Sequence, residues 1–159
     1  MFRLIPAPLH RLLLRIADRT RRRWWRRFPS TTPGVLIIAL DPRGRVLLVR
    51  HSYGSGEWMP PGGGGKRGED PVAAAQREAR EEFGAALACA QVIWTQADGL
   101  LHAVAGRLEG EPVADGREIV EVGLFAEDDL PHPMTPRHRA AVPGWVRTAA
   151  AAFPPPLEA

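Results

Sequence analysis

Three glutamates that follow a run of glycines carry the clearest chemical signal in this chain. The glycines occupy positions 62–65, and the glutamates are Glu78, Glu81 and Glu82. If the intervening segment is helical, the spacing i, i+3, i+4 places the three carboxylates close together, where like charges destabilise an isolated helix. Such a concentration of acids indicates a bound cation, and Mg²⁺ takes its ligands from carboxylates and substrate phosphates. The segment therefore predicts a Mg²⁺-binding helix beside a phosphate-bearing ligand.

Other glycine-rich motifs explain this segment less well. The glycines at 63, 65 and 68 fit the dinucleotide fingerprint, but that motif directly follows a strand and opens a helix. Here prolines at 60–61 interrupt any strand, and the helix begins later, with Asp70 as N-cap and Pro71 as its first residue. Arg67 stands where a P-loop requires serine or threonine. A glycine turn before a surface helix with an Arg77–Glu81 ion pair is the structural alternative.

A longer pattern around these residues resembles a known family signature. The pattern Gly63-x5-Glu69-x7-Arg77-Glu78-Ala79-x-Glu81-Glu82-x-Gly84-Ala85 is similar to the signature of the Nudix hydrolases. Every glycine, glutamate and arginine of that signature is present. The departures are Ala79 and Ala85, which replace bulky apolar residues, and Pro60 in the lead-in 58–63, where an aliphatic residue is usual. The resemblance extends over about 34–150.

The resemblance implies a role for each residue of the motif. Glu78 and Glu82 are expected to bind the metal, Mg²⁺ with Mn²⁺ as a substitute, together with Glu81 and the backbone carbonyl of Gly63. Arg77 is expected to orient these acids through an ion pair with Glu69, which suits its planar guanidinium. The expected general base is Glu78. A later acid often completes such a site, and Glu118 is the first candidate, with Glu121 as the second.

The substrate side of the site is less clearly marked in the sequence. Tyr53 and Trp58 precede the motif and could stack on a nucleobase, although core packing explains Trp58 equally well. Arg50, at the end of a predicted strand, is a candidate phosphate ligand. The histidines, among them His51, are dispersed without metal-ligand spacing and are interpreted as structural.

The charge of the chain is unevenly distributed. The net charge is +3 and the isoelectric point is about 9.9, yet residues 1–28 alone carry nine arginines against one aspartate, a net +8. The remainder is therefore acidic, at −5. Residues 9–27 predict a basic amphipathic helix with a leucine stripe. Three interpretations stay open: the helix packs on the body, lies on an anionic membrane surface, or contributes to a homodimer or a nucleic-acid contact.

The remaining elements predict an α/β fold. Strands are expected at 34–40 and 45–51, which form one hairpin, at 87–95 and 100–108, which form a second, and at 118–125. Helices are expected at 70–83 and 135–153, the second kinked or restarted at Pro143. The resemblance implies an α/β/α sandwich around a mixed sheet. We expect an arm and linker at 1–33, the hydrolase domain at 34–153 and a tail at 154–159.

Cysteine and hydropathy bear on the compartment. The single cysteine, Cys89, cannot form an internal disulfide, which favours the reducing cytoplasm. Cys89 is expected to be a small buried residue on a strand. No apolar run approaches the roughly 18 residues of a membrane span.

Together with the Mg²⁺-binding helix, the resemblance implies a Mg²⁺-dependent pyrophosphohydrolase that cleaves a phosphoanhydride in a nucleoside diphosphate linked to another group. Two alternatives stay open. One is a pyrophosphatase of nucleoside triphosphates, including oxidised nucleotides, and the other is a non-catalytic module that binds a nucleotide. The intact set of acidic residues argues against the second, because a pure binding module needs no complete catalytic set.

Overall fold

The computed structural model describes residues 33–153 and, from the N-terminal arm, Leu9 alone. The predicted amphipathic helix and the C-terminal tail lie outside the described residues. Seven strands are present: β1 Gly34–Leu40, β2 Val46–His51, β3 Trp58–Met59, β4 Gly62–Gly64, β5 Ala86–Thr95, β6 Leu101–Glu109 and β7 Ile119–Phe125. Two helices accompany them, α1 Pro71–Phe83 and α2 Pro136–Ala152.

The strands form one mixed sheet. Its main path runs β3-β2-β1-β6-β5, with β4 beside β1 and β7 beside β2. The pair β1 and β6 is parallel, from Gly34 opposite Leu101 to Leu40 opposite Arg107, and the other pairs are antiparallel. Both predicted hairpins, β1–β2 and β5–β6, are confirmed.

A split in the middle of this sheet creates the space for a site. Strands β1 and β2 pair only at Leu40 and Val46, next to their connecting turn. Beyond that point β4 pairs with the first residues of β1, while β3 pairs with the last residues of β2. The two prolines at 60–61 connect β3 to β4, which is why they interrupt no ladder.

The sheet lies between two helical layers, as predicted. Alternate residues of β1 point to opposite faces. Val35, Ile37 and Ala39 pack in the cluster that contains α1, whereas Ile38 and Leu40 pack in the cluster that contains α2. The α/β/α architecture is therefore confirmed.

Helix α1 has the predicted ends. The Asp70 carboxylate accepts hydrogen bonds from the backbone N–H groups of Val72 and Ala73, and Gly84 ends the helix in the left-handed conformation. The face toward the sheet consists of small residues and one aromatic: Ala74, Ala75, Ala79 and Phe83, all buried. Ala79 and Ala85 are therefore core residues despite their size.

The prediction for helix α2 left open a kink or a restart at Pro143. The helix does not restart there: it continues as a single element from Pro136 to Ala152. Val142, Val146 and Ala149, on both sides of the proline, are buried in the same apolar cluster. Burial of this face holds the helix on the sheet across the position where proline removes a backbone donor.

Cys89 is exposed, so the prediction that it is buried is wrong. It lies where the β5–β6 register shifts between Ala88 and Gln91, and its φ of 53° is in the left-handed region. A bulge of this kind turns a strand residue out of the alternating pattern.

In the described part of the chain, no helix is long and apolar enough to cross a membrane.

Candidate active site

An open cleft of about 980 Å³ lies where β1 and β2 diverge. Its walls come from the start of β1, the segment after β2, the glycines of β4, helix α1, the β5–β6 turn, the residue before β7 and the first turn of α2. Five of the residues predicted for the site line it: Tyr53, Gly63, Glu78, Glu82 and Glu118. The cleft is therefore the candidate active site.

Glu82 is the most deeply buried acid of this cleft. Only 6% of the residue is exposed, and its Oε2 accepts a hydrogen bond of 3.0 Å from the backbone N–H of Gly62. Burial raises the pKa of Glu82 from 4.5 to about 8, against the lowering effect of the Gly62 hydrogen bond, and the nearby Glu118 and Glu78 raise it further. No ion pair to Glu82 occurs within residues 33–153, so burial favours the neutral carboxyl and a negative charge there would have no compensating cation among these residues.

Glu78 lies against Gly63, one helical turn before Glu82. A methyl group on Gly63 would lie 2.6 Å from the carboxyl carbon of Glu78, so only glycine leaves room for this carboxylate. Burial raises the pKa of Glu78, while a 2.7 Å contact with the Arg77 guanidinium lowers it. The close approach also places the Gly63 backbone beside the Glu78 carboxylate.

Arg77 joins the glycine loop to helix α1. Its Nε and one terminal nitrogen each donate to a different oxygen of Glu69 at 3.0 Å, which is the predicted bidentate pair. The guanidinium also donates to the Gly64 carbonyl at 3.1 Å. Hydrogen bonds from Arg77 and from the Lys66 backbone lower the pKa of Glu69 to about 2, so the pair stays ionised near neutral pH. Arg77 therefore fixes the position of Glu78 relative to the loop.

Glu81 does not join Glu78 and Glu82 in the cleft. Its side chain is 61% exposed and contacts Arg77 at 3.3 Å. At 3.6 residues per turn, Glu82 lies about 40° from Glu78 around the helix axis, whereas Glu81 lies about 60° away on the other side. This rotation separates Glu81 from the acids in the cleft, and its placement does not support the predicted ligand role.

A second group of side chains approaches Glu82 from strands β2 and β7. Ligand atoms of His51, Glu82 and Glu118 all lie within 4.8 Å of one another. The Tyr53 hydroxyl donates a 2.5 Å hydrogen bond to Glu118, and the Asp115 carboxylate accepts the backbone N–H of Glu118 at 3.0 Å. The two carboxylates and the imidazole whose ligand atoms lie this close together form a donor set that fits a divalent cation.

Sequence reasoning assigned His51 a structural role, and the structure places it in this group. Its position follows from the pairing of β2 with β7, in which His51 is opposite Ile119 and the backbone N–H of Ser52 donates to the Glu118 carbonyl. The spacing of the histidines in the sequence did not indicate that His51 lies near the glutamates. The sequence feature that could have indicated it is that His51 ends one predicted strand and Glu118 begins another, so antiparallel pairing would bring them together.

The three residues predicted to contact the substrate have different environments. Tyr53 lines the cleft, but its hydroxyl is engaged with Glu118. Trp58 is 6% exposed and packs edge-on against Phe125, which favours the packing interpretation. Arg50 bonds to the Gly56 carbonyl and pairs at 2.9 Å with Glu121, the second candidate acid, so both lie in a surface ion pair outside the cleft lining.

The raised pKa values predict an unusual pH dependence of stability for the metal-free protein. Because Glu82 binds its proton more tightly when folded than when unfolded, stability is lost as pH rises from about 4.5 to 8. We expect a loss of about 2–4 kcal/mol. Thermal unfolding in a chelating buffer should show this decline, and Glu82→Gln should flatten it. Equal slopes for both proteins would contradict the assignment.

Comparison with known proteins identifies the family and the fold. A model of the NUDIX domain matches residues 30–145. The MutT NUDIX hydrolase from Burkholderia pseudomallei is 31% identical with a TM-score of 0.56, and the match covers 70% of this chain and 95% of that one. An ADP-ribose pyrophosphatase from Streptococcus suis shares the fold at 20% identity and a TM-score of 0.56, over 74% and 93% of the two chains.

Among curated proteins, the chain is similar to an RNA pyrophosphohydrolase from Saccharophagus degradans. The two are 35% identical over 88 residues, which is 54% of this chain and 52% of that protein. The chain thus spans about half the length of this relative.

Proposed function

The chain belongs to the NUDIX domain family, and on that premise we propose that it is a metal-dependent hydrolase of phosphoanhydride bonds in nucleotide-type substrates. One observation carries the proposal: Glu78, Glu82 and Glu118 converge on one cleft behind a glycine strand. The proposed cation is Mg²⁺, with Mn²⁺ as a substitute, because oxygen donors dominate the set.

The residues that would hold the cation are Glu78, Glu82 and Glu118, with the Gly63 carbonyl and His51 at the margin of the same group. A bound divalent cation supplies neutralisation of phosphate charge and a lowered pKa for the attacking water. The buried position of Glu82 favours such an ion, because a cation offsets the desolvation of its carboxylate.

The protein's own residues would orient the reaction. Arg77 holds Glu78 against Gly63, the Gly62 N–H holds Glu82, and Tyr53 holds one oxygen of Glu118. The proton of the attacking water must pass to a carboxylate, and Glu78 and Glu118 are the two candidates. Replacing each with glutamine separates them, since loss of the base lowers kcat while the metal affinity is measured independently.

For the substrate, we propose a nucleoside diphosphate linked to a further moiety, with a nucleoside triphosphate, including oxidised nucleotides, as the alternative. A second candidate is the phosphorylated 5′ end of an RNA. It is favoured by the similarity to a protein named RNA pyrophosphohydrolase and by the +8 charge of residues 1–28, which would attract a polyanion. Contact of the arm with a membrane surface, and a homodimer, stay predictions from the sequence.

The deciding experiment is a substrate panel in Mg²⁺ that measures release of mononucleotide, phosphate and pyrophosphate separately. The panel includes nucleoside triphosphates, oxidised nucleotides, nucleotide sugars, dinucleoside polyphosphates and 5′-triphosphorylated RNA. Hydrolysis of at least one member supports the proposal. Binding of a nucleotide with no turnover of any member would favour the non-catalytic module.

Chelation gives a second test. We expect activity to fall to background in excess EDTA and to return with Mg²⁺ or Mn²⁺, because the predicted ligands are mainly oxygens. Equal turnover with and without EDTA would contradict a metal-dependent mechanism.

We place the reaction in the cytoplasm as part of this proposal, since the single cysteine is a free thiol.

A further inference from the structure

One cationic side chain lines the same cleft as the three glutamates. Among the described lining residues, Arg137 is the one lysine or arginine. It comes from the first turn of α2, on the opposite face of the sheet from α1, which carries Glu78 and Glu82. The cleft therefore has an acidic side and a basic side.

A chain of hydrogen bonds positions this arginine. A terminal nitrogen of Arg137 donates to the side-chain oxygen of Gln96 at 3.3 Å. The amide nitrogen of Gln96 donates to Asp98 at 2.8 Å, which leaves the Gln96 oxygen directed at Arg137. Asp98 in turn accepts the Leu100 backbone N–H at 2.9 Å. The β5–β6 turn thus holds the guanidinium at the cleft.

The placement of Arg137 has no evident stabilising purpose. A cation in the first turn of a helix is disfavoured by the helix dipole. Arg137 is exposed, its bond of 3.3 Å joins it to the neutral Gln96, and no carboxylate among residues 33–153 pairs with it. An anion bound in the cleft would pair with this charge and offset the unfavourable dipole interaction.

We propose that Arg137, positioned by Gln96, binds a phosphate group of the substrate other than the one that a cation at the glutamates would contact. The inference rests on the proposed function and deepens it. The planar fork of arginine suits bidentate contact with phosphate oxygens. Two sources carry this chemistry: a second phosphate of the anhydride chain, or the first phosphodiester of a nucleotide attached at the 3′ side.

The test measures binding without turnover. Calorimetry in Mg²⁺ gives the Kd of a non-hydrolysable nucleoside triphosphate analogue and of the same analogue extended by one 3′ nucleotide. Arg137→Gln should weaken binding about 10- to 100-fold, the range of a charge-assisted hydrogen bond. If both ligands lose affinity equally, the phosphate belongs to the anhydride chain. Loss confined to the extended ligand identifies the phosphodiester.

Two further variants separate the effect of the charge of Arg137 from the effect of its position, and a third variant is a control. Arg137→Lys should recover part of the loss, because the charge is kept and the fork is not. Gln96→Ala should weaken binding several-fold, because the guanidinium is kept but not positioned. Arg43→Gln is the matched control, an exposed arginine in the β1–β2 turn, at the far end of β1 from the cleft.

Unchanged Kd for both ligands in Arg137→Gln, with a wild-type melting temperature, would overturn this inference. The result is distinct from failure of the proposed function. A chain that hydrolyses no member of the substrate panel would still show the Arg137 effect on binding if the inference is right.

Discussion

Glu82→Gln is expected to lower kcat by about 10³-fold or more while the fold is kept. The substitution removes the most buried carboxylate of the cleft, and the cation it would hold contributes several kcal/mol to stabilising the transition state. Volume is nearly unchanged, and the glutamine oxygen can still accept the Gly62 N–H. Steady-state kinetics on any substrate that the panel identifies provides the measurement.

The matched control for this variant is Glu109→Gln. Glu109 is exposed at the end of β6, the opposite end of that strand from Leu101, which lines the cleft. It makes the same chemical change without touching the site, and we expect wild-type kcat. Near-wild-type kcat in Glu82→Gln as well would show that the helix is structural and that the hydrolase proposal is wrong.

Gly62→Ala is expected to destabilise the fold by about 3 kcal/mol or more. The φ of Gly62 is 147°, and a methyl group there would lie 2.1 Å from the Val35 carbonyl oxygen and 3.0 Å from the Leu36 Cα. Neither contact can be relieved by rotating a side chain, because both atoms are backbone of the paired strand β1. Relief requires separating β4 from β1, which also withdraws the N–H that holds Glu82.

Gly64→Ala is the control for this prediction, since nothing lies within 4 Å of a methyl group at that position. We expect its free energy of unfolding to stay close to that of the wild type in denaturant titrations. If the two alanine variants unfold at the same denaturant concentration, the close packing of β4 on β1 is not a constraint on the fold.

Local chemistry made the fold largely predictable. Asp70 and Gly84 bounded helix α1 because an N-cap carboxylate and a left-handed glycine act within a few residues of themselves. Hairpins followed from turn residues between apolar runs. Features that depend on long-range contacts were harder to predict from the sequence. They are the bulge that exposes Cys89, the divergence of β1 from β2 and the continuous helix through Pro143.

The candidate site divides in the same way. Glu78, Glu82 and the Arg77–Glu69 pair were predicted because they lie within one loop and helix. The pairing of β2 with β7 brings His51 to the site, and the contact of α2 with the β5–β6 turn brings Arg137 there. Both contacts join residues that are far apart in the sequence, so no local sequence pattern indicated them. The ligand role of Glu81 stays a prediction, and its exposed side chain was not foreseen because sequence spacing gives proximity on a helix but not the direction of the cleft.

The alanine face of α1 sets a limit on how this protein can be redesigned for heat resistance. Enlarging a small core residue is a common way to add buried apolar area. At Ala75 or Ala79, both without exposed surface, a larger side chain would displace the helix from the sheet. The same displacement would carry Glu78 and Glu82 away from the glycines of β4. Stabilising substitutions are better made in the core beneath α2, because the apolar face of that helix carries none of the three carboxylates Glu78, Glu82 and Glu118.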